Sequence, residues 1–214
     1  KDLGTLDANG NPTKVSSYKD INYDNWSSAD RYKWIEYHKW KVSGELYTKV
    51  IGDFVIMTRA QFGYLGYYNR KWGYSPFEGF RVGGDGMSGY DTYGADIIAL
   101  RGYENYYLTP WEATPYNSNG YYAGNVYDKF TMEFRYPVIL QPQSTIFVLG
   151  FLEGGNCWSD IKKFNPFQIK RSAGVGVRVF LPMIGLLGID WGYGFDNPVK
   201  KNRSQFHFLI GQQF

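Results

Sequence analysis

Residues 187–195 have the sequence LGIDWGYGF, in which every second residue is large and apolar. One face of an extended chain would carry the large residues Leu187, Ile189, Trp191, Tyr193 and Phe195. The opposite face would carry Gly188, Asp190, Gly192 and Gly194. Because successive side chains of a β-strand point to opposite sides, the stretch predicts a strand with one apolar face and one crowded face. A strand between lipid and a barrel lumen has this pattern, and a half-buried strand of a soluble sheet shares it.

Alternation of the same kind recurs along the chain. It is clear in residues 54–64, 130–138, 172–181 and 206–214. Residues 32–49 alternate less well, and residues 145–152 are apolar on both faces and cannot be oriented. Together these segments predict an all-β chain with seven strands, at 32–49, 54–68, 129–140, 145–153, 172–181, 186–195 and 205–214.

The connections between the predicted strands alternate in length. Short turns lie at 50–53, 141–144 and 182–185, and longer loops lie at 69–128, 153–171 and 196–204. Outer-membrane barrels have short periplasmic turns and long extracellular loops, so the pattern predicts a transmembrane antiparallel β-barrel in the outer membrane. Lipid tolerates no unpaired strand edge, so we expect further strands outside this sequence. Residues 1–14 have no apolar signal core, and residues 1–31 are expected to be an extracellular loop segment.

Composition limits the other classes of function. No apolar run approaches the ~18 residues of a membrane helix, and the 20% aromatic residues include rings suited to membrane interfaces. The net charge of +3 is scattered, which gives no reason to expect nucleic acid as a partner. Cys157 is the single cysteine, and His38 and His207 are far apart. We therefore expect no disulfide within the chain, no metal site and no cofactor.

Three stretches are more specific than a general barrel pattern. They are LRGY at 100–103 within the long loop, FLEGGNCW at 151–158 and FLIGQQF at 208–214. With RSAG at 171–174, they resemble the C-terminal barrel half of the BamA family of outer-membrane barrel-assembly insertases. The resemblance extends over about residues 32–214. It implies a sixteen-strand barrel whose last seven strands are present, together with an N-terminal barrel half and periplasmic POTRA repeats.

The resemblance also implies an interaction inside the barrel. In that family the long loop, here 69–128, folds into the lumen, and its Arg-Gly-aromatic tip meets acids on the inner wall. The matching tip is Arg101, Gly102 and Tyr103, and the acids that fit are Glu133 and Glu153. The family often has Asp where Glu153 stands. A planar guanidinium suits two carboxylates and glycine allows close approach, although a solvated loop arginine is the alternative.

The terminal strand fits the signal of outer-membrane barrels. Phe208, Ile210 and Phe214 alternate towards a final aromatic residue, and Gly211 weakens local pairing. The resemblance implies a seam between the last and first strands, where an incoming strand adds by β-augmentation. The alternative is that Gly211 only relieves crowding in the lumen.

The resemblance implies an assembly factor that folds and inserts outer-membrane proteins without covalent chemistry. Its implied partners are unfolded outer-membrane client proteins, accessory lipoproteins of the assembly machinery and outer-membrane lipid. The alternatives are a polypeptide secretion pore of the same superfamily, a porin-like channel and a soluble β-rich binding protein. An enzyme is disfavoured, because an arginine beside Glu133 and Glu153 would keep both carboxylates ionised and unsuited to act as a general acid.

Overall fold

A computed structural model describes residues 5–6, 12–13, 35–68, 73–86, 94–114, 117–141, 144–182, 185–197 and 203–211. The chain divides into two compact units, one of residues 1–37 and 67–75 and the other of residues 38–66 and 76–214. Within the described ranges the helical structure is a 3-10 turn at Ile161–Lys163. None of the helical structure described is long and apolar enough to cross a membrane.

The described residues form thirteen strands. In chain order these are β1 Thr5–Leu6, β2 Pro12–Thr13, β3 Tyr37–Ile51, β4 Phe54–Tyr67, β5 Phe80–Val82, β6 Asp96–Ile98, β7 Trp111–Thr114, β8 Asn117–Tyr122, β9 Val126–Gln141, β10 Ser144–Trp158, β11 Lys170–Leu181, β12 Gly185–Gly194 and β13 Ser204–Ile210. Of the predicted loop segment 1–31, the structure describes only β1 and β2, which pair with each other.

The seven long strands build one sheet in the order β13-β12-β11-β10-β9-β4-β3. From β4 to β13 each strand of this sheet pairs with the next one in antiparallel orientation. The predicted all-β class and the number of seven strands are thus confirmed, although β3 begins at Tyr37 and β9 at Val126, whereas the predicted starts were 32 and 129. The sheet is consistent with part of a β-barrel.

The exposed face of the sheet is the apolar face that the alternation predicts. On β12 the exposed fraction of Ile189 is 53%, whereas that of its neighbour Asp190 is 3%. On β9, Met132 is exposed and Glu133 is buried. We call these the outer face and the inner face. An exposed apolar face that continues across several strands suits contact with lipid.

Strand β10 corrects one boundary and resolves one ambiguity. It continues to Trp158, so the loop predicted from residue 153 begins only at residue 159. Residues 154–156, two glycines and an asparagine, have low β propensity, but they pair in register with β9, which overrides that preference. Within the apolar stretch, Leu149 and Phe151 are buried on the inner face, while Leu152 is exposed on the outer face.

The described part of the connection between β4 and β9 from residue 76 onward packs on the inner face. It contains a parallel pair, β5 with β6, and an antiparallel pair, β7 with β8. Phe80 of β5 lies edge-on to Tyr127 of β9, with 4.7 Å between the ring centroids. The largest buried side chains of this second unit lie on the inner face or in this loop, and they are Tyr103, Phe80, Phe151, Met57, Leu65 and Leu100. The core therefore lies between the strands and the loop.

Candidate functional site

The loop brings one short turn against the inner face of the sheet. Leu100 forms an antiparallel bridge with Gly84, and the backbone turns directly after it. Arg101, Gly102 and Tyr103 follow in this turn, and all three are buried. We call residues 101–103 the loop tip.

The Arg101 guanidinium contacts carboxylates from three strands. Its Nη2 lies 2.7 Å from Oε1 of Glu133 on β9 and 2.8 Å from Oε1 of Glu153 on β10. Its Nη1 lies 3.0 Å from Oδ2 of Asp190 on β12. The backbone N–H of Arg101 also donates to Oε2 of Glu153, at 2.8 Å. A planar fork with several donors is the side chain best suited to such a convergence of carboxylates.

Further cations balance these acids. Lys129 Nζ lies 3.2 Å from Glu153, Arg135 Nη2 lies 2.7 Å from Glu133, and Arg178 Nη2 donates to Asp190 at 2.6 Å. Each carboxylate that Arg101 contacts therefore has a second cationic partner. Buried charges need this degree of pairing, because desolvation otherwise outweighs their attraction.

The Arg101 guanidinium stays protonated in its buried site. Burial alone would lower the pKa of Arg101, but the negative charges of Glu153 and Glu133 outweigh burial and hold that pKa above its ordinary value. The guanidinium also lies over the ring of Phe151, with 3.7 Å from its central carbon to the ring centroid. Such stacking is a cation–π interaction that strengthens when water is excluded.

The backbone at Gly102 lies directly against the wall of the sheet. Its N–H donates to Nε2 of His207 on β13, at 2.8 Å, and its φ of 88° lies in the left-handed region. A Cβ at Gly102 would lie 3.0 Å from the backbone N of Gly194. A Cβ on the wall at Gly192 would lie 2.7 Å from the Gly102 N. Glycine is thus required on both sides of the contact.

Tyr103 completes the loop tip. Its hydroxyl donates to the backbone carbonyl of Arg171 on β11, at 2.8 Å, and its ring stacks on Tyr107. Burial raises the pKa of Tyr103 to about 12, so the hydroxyl stays a donor at neutral pH. The tip is therefore held by ion pairs at Arg101, by a backbone hydrogen bond at Gly102 and by a hydroxyl hydrogen bond at Tyr103.

The structure brings together the residues of the luminal prediction. Arg101 and Gly102 lie among the acids Glu133 and Glu153, and Tyr103 contacts the wall beside them. The residues predicted for a terminal seam lie apart from the tip. Phe208 and Ile210 are exposed on the outer face of β13, Gly211 follows that strand with a φ of 101°, and Phe214 is outside the described residues.

Two contacts of the tip were not among the sequence candidates. The sequence places Asp190 on the face opposite the large apolar residues without naming a partner, and it offers His207 only as a histidine far from His38. Both lie on the crowded face of an alternating strand, and they are direct neighbours in the pairing of β12 with β13. The signal that could have found them is a pair of polar residues, each on the inner face of an alternating strand.

The tip borders a cavity of about 570 Å³ on the inner face. Its lining combines the charged groups of the tip with apolar residues such as Phe147, Phe180 and Leu186. No group of three or more His, Cys, Asp or Glu residues in the described part of the chain is placed to hold a metal. Because cations already neutralise the carboxylates, this arrangement is suited to holding a loop.

The comparison with known families gives one match. A family model described as Omp85 superfamily domain matches residues 5–214, which include the loop tip and the terminal strand. No curated protein matches the chain.

Proposed function

The chain belongs to the Omp85 superfamily, whose members insert or transport proteins at the outer membrane, and on that premise we propose that it acts in barrel assembly. In this proposal it is part of an outer-membrane assembly factor of the BamA kind. It folds and inserts β-barrel client proteins through a seam at its terminal strand. It uses no covalent chemistry, because strand pairing and lipid contact supply the free energy.

The observation that carries the proposal is an inner face filled by the loop tip, which disfavours a route for a client through the lumen. On the inner face, the tip binds β9, β10, β11, β12 and β13. Among the described strands, β13 and β3 stand at the two ends of the sheet, and each has one described hydrogen-bonded neighbour. In the proposal, the end at β13 is the one that opens to a client. An edge strand offers a row of backbone donors and acceptors for an incoming strand. A polypeptide passing through the lumen would first have to displace the tip.

The end of β13 supports a seam. The strand stops at Ile210, and Gly211 takes a φ of 101° that residues with a side chain rarely adopt. The last described backbone bond of this pairing is donated by Gly211 N–H to the carbonyl of Leu186, at 2.9 Å. Glycine weakens pairing and permits a bend, so separation of β13 from its neighbour would begin most readily at this end.

The proposed partners follow from this mode of action. They are unfolded outer-membrane client proteins, accessory lipoproteins of the assembly machinery and outer-membrane lipid. The exposed apolar outer face supports the lipid partner. The edge of β13 supports clients with an extended terminal strand of alternating pattern, because that strand could continue both faces of the sheet.

Crosslinking during client insertion tests the proposal. The complete protein carrying Ile210→Cys is reconstituted in vesicles with an unfolded barrel client that has a single cysteine in its last strand. Met132→Cys is the matched control, because Met132 is also exposed on the outer face but lies on β9, which has neighbours on both sides. We expect a disulfide to the client at position 210 and none at position 132, together with folded client in the membrane.

Other outcomes would contradict the proposal. Equal crosslinking at both positions would mean that the client contacts the outer face without using the edge. Client polypeptide that accumulates inside the vesicles without becoming folded would instead favour a secretion pore of the same superfamily.

A further inference from the structure

We propose that His207 is a positioning residue that couples the terminal strand β13 to the loop tip, so that the tip loosens when β13 leaves its place in the sheet. This inference rests on the proposed function, in which β13 must move. It assigns a role in the seam to the inner face of β13, whereas the residues predicted for that seam lie on the outer face or at the strand end.

The first step of the argument is the place of His207. It is buried on the inner face of β13, directly opposite Asp190 in the pairing with β12. Asp190 binds the side chain of Arg101, and His207 binds the backbone of Gly102. Two adjacent tip residues are thus held by two directly paired residues, one on each of the last two strands.

The second step is the short reach of this contact. The bond from the Gly102 N to the His207 Nε2 is 2.8 Å long, and a hydrogen bond of this kind is lost beyond about 3.5 Å. A shift of β13 by one residue, ~3.4 Å along the strand, or its separation from β12 would move the imidazole by far more than the ~0.7 Å by which this bond can lengthen. The Gly102 N–H would then be buried without an acceptor, which is unfavourable.

The third step is reciprocity. If the docked tip is stabilised by a paired β13, then a paired β13 is stabilised by the docked tip to the same extent. A client that competes for the edge of β13 would therefore loosen the tip. Conversely, a variant that cannot bind the tip would have a more mobile terminal strand.

The imidazole also makes the coupling sensitive to pH. Nε2 accepts the Gly102 N–H only while it carries no proton, so protonation breaks this bond. The charged groups around the ring are Asp85 and Arg101 from the loop, Glu153 from β10 and Asp190 from β12. The three carboxylates would hold a protonated ring in place, but they would not restore the bond to Gly102.

Hydrogen exchange of the complete protein in vesicles, followed by mass spectrometry, tests the inference. The segments compared are 98–104, which contains the tip, and 203–211, which contains β13. His207→Phe keeps the bulk of the ring without an acceptor, and His207→Gln keeps an acceptor oxygen that does not titrate near neutral pH. The control is Phe206→Leu, which changes the outer face of the same strand.

We expect His207→Phe to lower the protection factors of both segments by about tenfold. His207→Gln and Phe206→Leu should stay close to the native values. In the native protein, both protection factors should fall together as the pH is lowered and the imidazole takes up a proton. In His207→Gln they should stay flat as the pH is lowered.

Three results would overturn the inference. One is a change in the β13 segment alone, which would give His207 a role within its strand only. Another is equal loss in His207→Phe and His207→Gln, which would mean that the ring and not the acceptor matters. The third is a native pH profile identical to that of His207→Gln. Client insertion is measured in the same vesicles, and its absence in a native protein with coupled segments would contradict the proposed function alone.

Discussion

Removal of the Arg101 guanidinium is the most direct perturbation of the loop tip. Breaking one partner out of a buried ion pair typically costs ~3–5 kcal/mol, because it leaves a buried charge uncompensated. In Arg101→Ala, Glu153 keeps Lys129, Glu133 keeps Arg135 and Asp190 keeps Arg178. The cost should therefore be close to that of a single pair, about 3 kcal/mol, and not three times that value.

The conservative variant separates charge from geometry. Arg101→Lys keeps a cation at the site, but an ammonium cannot place two nitrogens against three carboxylates or stack flat on Phe151. We expect it to recover roughly half of the loss, since one carboxylate contact and the charge remain. Full recovery would mean that only the charge at this position matters.

The measurements are heat-modifiable gel mobility, urea unfolding in vesicles and client insertion. The matched control is Arg171→Ala, which removes an arginine whose ion pair with Asp196, at 2.9 Å, is exposed to solvent. The exposed fraction of the side chain is 65% for Arg171 and 9% for Arg101. We expect Arg171→Ala to change stability little. Equal effects of the two alanine variants, or no effect of Arg101→Ala, would refute the reasoning.

The remaining predictions concern the outer face and the other two residues of the tip. Ile189→Arg should lower the free energy of unfolding in vesicles by up to ~2–4 kcal/mol if the site is near the midplane. Leu209 lines the inner cavity, so Leu209→Arg should avoid that lipid penalty. Similar losses in the two variants would contradict the assigned faces. Gly102→Ala should lower the hydrogen-exchange protection of the tip, because its Cβ would press on backbone 3.0 Å away. Gly52→Ala, also at positive φ but with open space around it, should leave the tip unchanged. Tyr103→Phe should destabilise the protein by about 1 kcal/mol through loss of one buried hydrogen bond, and an unfolding curve identical to the native one would show that this bond is not formed in the membrane.

The faces of the strands could be predicted from the sequence because successive side chains point to opposite sides of a strand. Once one apolar residue is assigned to a face, the faces of all the others in that strand are fixed. Residues 187–195 illustrate this, since Ile189 and Asp190 lie on opposite faces as the pattern requires. The stretch 145–152 could not be oriented in this way. Its apolar inner residues are needed inside the protein, where Phe151 forms the surface under the Arg101 guanidinium. An apolar residue with a role on the inner face looks the same in sequence as one that faces lipid.

The contacts of the tip were predictable only in part. The charges of Arg101, Glu133 and Glu153 indicate that these residues could pair. The resemblance implies that they pair inside the barrel lumen. The role of His207 depends on the backbone N–H of Gly102 as donor. Every residue except proline has such a group, so the sequence does not indicate which one binds a side chain. It also depends on the register of β12 against β13, which is fixed only when the sheet forms.

The assembly of the tip from separate strands has a consequence for the order of folding. Gly102 and His207 are 105 residues apart, and such distant contacts form late because the chain entropy of a long loop must be overcome first. The acceptor for the Gly102 N–H does not exist until the last strand has joined the sheet. Docking of the tip should therefore be among the final folding events, and pulse proteolysis within the loop should reveal cleavage that persists until β13 is protected. Loss of loop cleavage before β13 is protected would contradict this order. Docking of the tip would then report that β13 has joined the sheet.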